Sequence, residues 1–151
     1  MNKVKQIEDV IKAEGVFIST TSGVSMYPML RDRRDTIVVR PPQGRLKKYD
    51  VALYKRGNAY ILHRVLKVKT GSYIIRGDNC DKKEYDITDK EVLGVLTEFY
   101  RDGKQIDMNG WRYKMYVRVH CMLFPVRFLG RRIYWGIRKV WRFVKKGAQS
   151  K

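Results

Sequence analysis

A serine that is to act as a nucleophile needs a base to take its proton, and that base should titrate near the working pH. The stretch Ser22-Gly23-Val24-Ser25-Met26-Tyr27-Pro28-Met29-Leu30 offers such a serine. Gly23 can adopt backbone angles closed to other residues, and Pro28 fixes its own φ. Ser25 on such a bend can present both its hydroxyl and its own N–H. The chain has two histidines, His63 and His120. His63 lies within Tyr60-Ile61-Leu62-His63-Arg64-Val65, which reads as a buried strand, and an imidazole suits the base without a large pKa shift. His120 falls in a basic C-terminal stretch, where packing or interfacial contact is the simpler role. A third group must hold the imidazole in the right tautomer and stabilise its charged form. Arg76-Gly77-Asp78-Asn79 opens an acidic run to Asp86, with Asp78, Glu84 and Asp86 as candidates. Taken singly these are a Ser/Gly turn, a packed strand histidine and a solvated polar turn. Together they describe acyl transfer by serine, histidine and an acid.

The order serine, then His63-Arg64-Val65, then Gly77-Asp78-Asn79 resembles type I signal peptidases and the autocleaving repressor peptidases of the same clan. It is most similar to the endoplasmic-reticulum and archaeal branch, which uses histidine where most bacterial members use lysine. The resemblance covers roughly residues 16–96. It implies Ser25 as nucleophile, His63 as general base and Asp78 as the residue that shapes the site. The orienting aspartate of that branch follows the Gly-Asp-Asn aspartate by six residues, a count that lands on Glu84 here. The chain thus departs by one methylene, and Glu84, Asp86 and Asp78 all stay open as the orienting group.

An oxyanion needs donors placed beforehand, most simply the Ser25 N–H with a second group from the Ser22-Gly23 approach. Signal peptidases carry a serine two residues before the nucleophile; this chain has Gly23 there and Ser22 one position further away. The spacing Ser-Gly-x-Ser-Met is closer to the repressor-type peptidases. Lys67 and Lys69 do not match the family base and read as strand-end surface charges.

These residues need a framework. Val4, Ile7, Val10 and Ile11 recur at helical spacing and Gly15 can end that helix, so residues 1–15 are expected to form a short N-terminal helix. Strands are expected at Val16–Thr21, Thr36–Arg40, Tyr49–Lys55, Ala59–Lys69, Tyr73–Arg76 and Asp89–Tyr100, separated by Gly and Pro turns. Short strands at this spacing predict a mainly β, barrel-like catalytic domain over residues 16–110. The resemblance makes that domain signal-peptidase-like.

From Trp111 the composition changes. Residues 111–151 hold 12 of the 33 Lys/Arg and none of the 15 Asp/Glu, out of a net charge of +18. Ile133, Ile137, Val140, Trp141 and Val144 fall on one helical face, with Pro125 and Gly130 expected to divide the segment into two pieces. A basic, aromatic, amphipathic helical tail predicts an anionic membrane surface as the partner of residues 111–146. Nucleic acid is the weaker alternative, since no recognised module is present.

No apolar run reaches the roughly 18–20 residues of a bilayer span, and residues 1–15 do not read as a secretory signal. The expected location is therefore cytoplasmic, peripherally associated with the membrane. Cys80 and Cys121 are far apart and suggest neither a zinc site nor a disulfide framework, and no cofactor is implied. The reading is a signal-peptidase-like serine endopeptidase acting on an extended peptide or precursor segment. Its alternatives are a repressor-type autoproteolytic domain and a non-catalytic membrane- or nucleic-acid-binding β domain with an inactive site.

Overall fold

The computed structural model describes residues 6–148. The first helix, α1, runs over Ile7–Glu14 and ends at Gly15, whose left-handed φ of 68° lets its N–H reach the Ile11 carbonyl at 3.0 Å. Val4, the first residue of the expected helical stripe, lies outside the described residues.

Eight strands follow: β1 Phe17–Thr20, β2 Asp35–Arg40, β3 Val51–Arg56, β4 Ala59–Lys69, β5 Ser72–Arg76, β6 Glu84–Ile87, β7 Val92–Arg101 and β8 Lys104–Ile106. All their pairings are antiparallel, in the order β1-β2-β7-β3-β4-β5-β6, with β8 added to β7. The fold is mainly β, but the expected barrel does not close. Among the described residues β1 and β6 do not pair, so the sheet keeps two edges where a barrel has none. Both end strands have only four residues, little ladder with which to complete a closure.

The strands form where β-branched and aromatic residues can occupy a pleated surface. Ala52, Tyr54, Val65, Tyr73, Ile75 and Ile87 make one buried cluster with Leu46 and Val92. Register explains the shared face. Ala52 faces His63, Val65 faces Ile75, and Ile75 faces Glu84. Residues two apart on a strand point the same way, so Tyr54, Arg56, His63, Val65, Ile75 and Glu84 project from one side. That side also carries the core, and the sheet curls enough for Glu84 on β6 to meet residues of β3.

Two helices complete the chain, α2 over Trp111–Met122 and α3 over Phe124–Ala148. The break falls at Leu123. Pro125 sits in the first turn of α3, where its missing N–H costs no helical bond, and Gly130 lies within α3 without dividing it. The chain forms two compact units that divide inside α2, after Lys114.

Candidate active site

The serine stretch is a turn, stabilised locally. Gly23 takes φ +91°, a region that disfavours side chains, and its N–H donates to Asp32 Oδ1 at 2.7 Å. That N–H is engaged within the turn. Ser22 is exposed. Ser25 is half-buried, and neither its hydroxyl nor its N–H makes a hydrogen bond among the described residues. Its carbonyl accepts from the Asn79 N–H at 2.8 Å, and Asn79 Nδ2 donates to the Val24 carbonyl at 3.2 Å. The Gly77-Asp78-Asn79 segment is thus stitched directly to the serine turn.

His63 sits on β4 with its ring largely buried. Its Nδ1 lies 2.9 Å from Glu84 Oε1 and 3.2 Å from the Tyr54 hydroxyl. Tyr54 donates to the same Glu84 oxygen at 2.6 Å, while Arg56 Nη1 holds the other oxygen, Oε2. Burial depresses the His63 pKa below its ordinary value, with Glu84 pulling the other way. For Glu84, burial alone would raise the pKa. Hydrogen bonds from Tyr54, Arg56 and His63 outweigh it and hold the carboxyl below its usual range. The arrangement is a neutral base against a charged carboxylate.

The other face of the imidazole points toward Gly77. A methyl placed on Gly77 would lie 2.9 Å from His63 Nε2, 2.7 Å from the Ser25 carbonyl oxygen and 2.7 Å from Cys80 Sγ. Nε2 and the Ser25 backbone therefore flank one small space that only glycine leaves open. Cys80 Sγ is 4.0 Å from Nε2, and burial raises its pKa, so the thiol is protonated. Sequence reasoning placed Gly77 in a motif without seeing its purpose, which is room.

The three acids separate cleanly. Glu84 touches His63. Asp78 is buried and turns to Arg64, which reaches it through Nε at 2.8 Å and Nη2 at 2.7 Å. Arg64 also donates to the Tyr49 carbonyl at 2.9 Å, so the pair anchors the Gly77-Asp78-Asn79 segment to β4 beside His63. Asp86 is exposed, has φ 59° and lies 3.5 Å from Lys69 Nζ. Tyr113, at the start of the region assigned to the tail, donates to Met29 Sδ at 3.2 Å and so belongs with the serine turn.

His120 packs within the helical unit, against the Tyr116 ring and with Arg127 Nη1 at 2.8–3.0 Å. Lys67 and Lys69 are exposed. Among the described residues no group of three or more His, Cys, Asp or Glu could hold a metal ion. A groove of about 660 Å³ is lined by Glu8, Lys12, Lys55, Arg56, Lys90 and Glu91, and takes in none of Ser25, His63 or Glu84.

In α3, Val126, Leu129, Ile133, Ile137 and Trp141 are exposed and follow helical spacing along one side. Arg132 lies over Phe128 and Arg138 over Trp135 on the opposite side. Val140 and Val144, also expected on the apolar stripe, have side chains outside those described. Among the described residues no helix is long and apolar enough to cross a membrane. No protein-family model matches the chain, and no characterised protein matches its sequence.

Proposed function

We propose that the chain is a serine endopeptidase of the signal-peptidase kind, with Ser25 as nucleophile, His63 as general base and Glu84 as the group that orients His63. One observation carries the reading: Nδ1 of a buried histidine is held by a carboxylate while Nε2 faces the space beside the Ser25 backbone. In the reaction, Nε2 takes the Ser25 hydroxyl proton as the oxygen attacks a peptide carbonyl. The imidazolium, stabilised by Glu84, gives the proton to the leaving amine, and water then hydrolyses the acyl ester by the same route. The Ser25 N–H supplies one oxyanion donor. An extended peptide or precursor segment would reach Ser25 along the free edge of β1, whose outer side is unpaired among the described strands. The test is a fluorophosphonate probe on the full chain, with peptide mapping. Labelling at Ser25 that disappears in His63→Ala supports the reading, and a serine that stays unlabelled at high probe concentration sinks it.

The enzyme's place is the cytoplasmic surface of an anionic membrane, held peripherally through α3. Support comes from an exposed apolar side combined with basic residues and no acid across residues 111–151. Each basic residue near an anionic leaflet contributes on the order of 1 kcal/mol, falling with salt, whereas apolar insertion is largely salt-insensitive. Cosedimentation with phosphatidylserine vesicles should therefore survive moderate salt and drop sharply for Ile133→Asp/Ile137→Asp. Binding to RNA that falls linearly with log salt, with vesicles left unbound, would assign the tail to nucleic acid instead.

A further inference from the structure

The site holds a fourth group that neither the motif nor the peptidase reading calls for. Tyr54 is fully buried, sits diagonal to His63 across the β3–β4 ladder, and brings its hydroxyl to both His63 and Glu84. We propose that Tyr54 is a positioning residue for His63, its hydroxyl clamping Glu84 Oε1 and fixing which imidazole nitrogen carries the proton. This deepens the peptidase reading and rests on it for its meaning, though not for its test.

Counting hydrogens makes the case. A phenol has one hydrogen to give, and at 2.6 Å it goes to Glu84 Oε1. The phenol oxygen that faces Nδ1 at 3.2 Å is then an acceptor. Nδ1 thus meets two acceptors, that oxygen and the carboxylate at 2.9 Å, and must itself hold the proton. The lone pair is left on Nε2, the nitrogen facing Gly77 and the Ser25 backbone. The opposite tautomer would set an unprotonated nitrogen against a carboxylate. Arg56 holds the second carboxylate oxygen, so Glu84 is held through both oxygens.

The arrangement also sets the charge that His63 experiences. Part of the negative charge on Oε1 is shared with the Tyr54 hydroxyl, and without that donor more of it faces the imidazole. Tyr54→Phe keeps the ring and its packing but frees Oε1, so the imidazolium becomes easier to form. The His63 titration midpoint should rise by about half a pH unit, and kcat should fall roughly tenfold with KM within about twofold.

The chain has only two histidines, so the midpoint can be read directly by NMR on the full-length protein, with His120→Gln assigning the second signal. The expected result is an upward shift in Tyr54→Phe that is absent when the same change is made in Glu84→Gln, because the two act through one contact. A midpoint that stays put or falls, or shifts that simply add in the double variant, overturns the proposal. Should the chain cleave no peptide while the midpoint still rises, Tyr54 keeps its role and the peptidase reading is what fails.

Discussion

Two regions of this molecule treat polarity in opposite ways. Around His63 the polar groups are taken out of water and matched: Arg64 with Asp78, and the His63 ring with Glu84. Along α3 the apolar groups are left in water, with Leu129, Ile133, Ile137 and Trp141 exposed beside a run of arginines and lysines. Burying a charge is costly unless it is paired and hydrogen-bonded, so a region that does it repeatedly is one whose geometry matters. Exposing a continuous apolar side is also costly unless something covers it. The first pattern fits chemistry performed at fixed distances. The second fits adhesion to a soft surface, which needs no fixed distances at all.

The sharpest way to break that comparison is to remove the proposed nucleophile. Ser25→Ala should lower activity by several orders of magnitude while thermal unfolding stays within a degree or two, because the half-buried hydroxyl makes no described hydrogen bond. His63→Ala should cost about as much, since the two act as a unit. Cys80→Ala should cost little, because its thiol is protonated and 4.0 Å from Nε2. If Cys80→Ala were the inactive variant and Ser25→Ala the active one, the nucleophile would be the thiol.

Next in size come changes to the frame. Asp78→Ala leaves the Arg64 guanidinium buried without its carboxylate, a loss of about 3–5 kcal/mol measurable by urea denaturation. Gly77→Ala should act differently. Its methyl would meet the Ser25 carbonyl and Nε2, so activity should collapse, with a smaller loss of stability than Asp78→Ala. Equal activity in Gly77→Ala and the wild type would show that the space beside Nε2 is not where substrate reacts. Glu84→Gln should reduce activity by less than His63→Ala, and Asp86→Asn should leave it nearly unchanged, since Asp86 only faces Lys69 at the surface.

Much of the frame was legible in the sequence, and the reasons are local. Ala59–Lys69 reads as a strand because its apolar and β-branched residues are bounded by Gly57 and Gly71, and β4 has those ends. Glu84 was reachable by counting along a motif, but β6 was not, because Glu-Tyr-Asp-Ile carries two acids and buries only Ile87 fully. The open sheet was missed for a related reason: strand number is local, whereas closure depends on whether the first and last strands meet. Tyr54 reads as one more core aromatic on a strand. Its role arises from the curl of the sheet, which carries β6 toward β3, and no spacing along the chain encodes that. The resemblance marks Asp78 as shaping the site, but its pairing with Arg64 is visible only once the fold buries the two together.

The smallest expected effect, and the one most specific to the buried side of the comparison, is a pH dependence of stability. Burial lowers the His63 pKa in the folded chain below the ordinary 6.5 of the unfolded one, despite the opposing pull of Glu84. Between those two values the unfolded chain binds the proton more readily than the folded chain does. Stability is therefore unaffected by this group above pH 6.5 and declines as the pH falls below it, toward the folded pKa. Glu84, with its folded pKa held below the ordinary 4.5, adds a separate loss only at more acidic pH, as pH falls through that lower range. Urea midpoints at pH 7.5 and pH 5.5 isolate the histidine. The wild type should be less stable at the lower pH, and His63→Gln, which has no proton to gain there, should lose less. If His63→Gln lost as much as the wild type, the decline would belong to other groups, and the imidazole would not be held neutral by its burial beside β3.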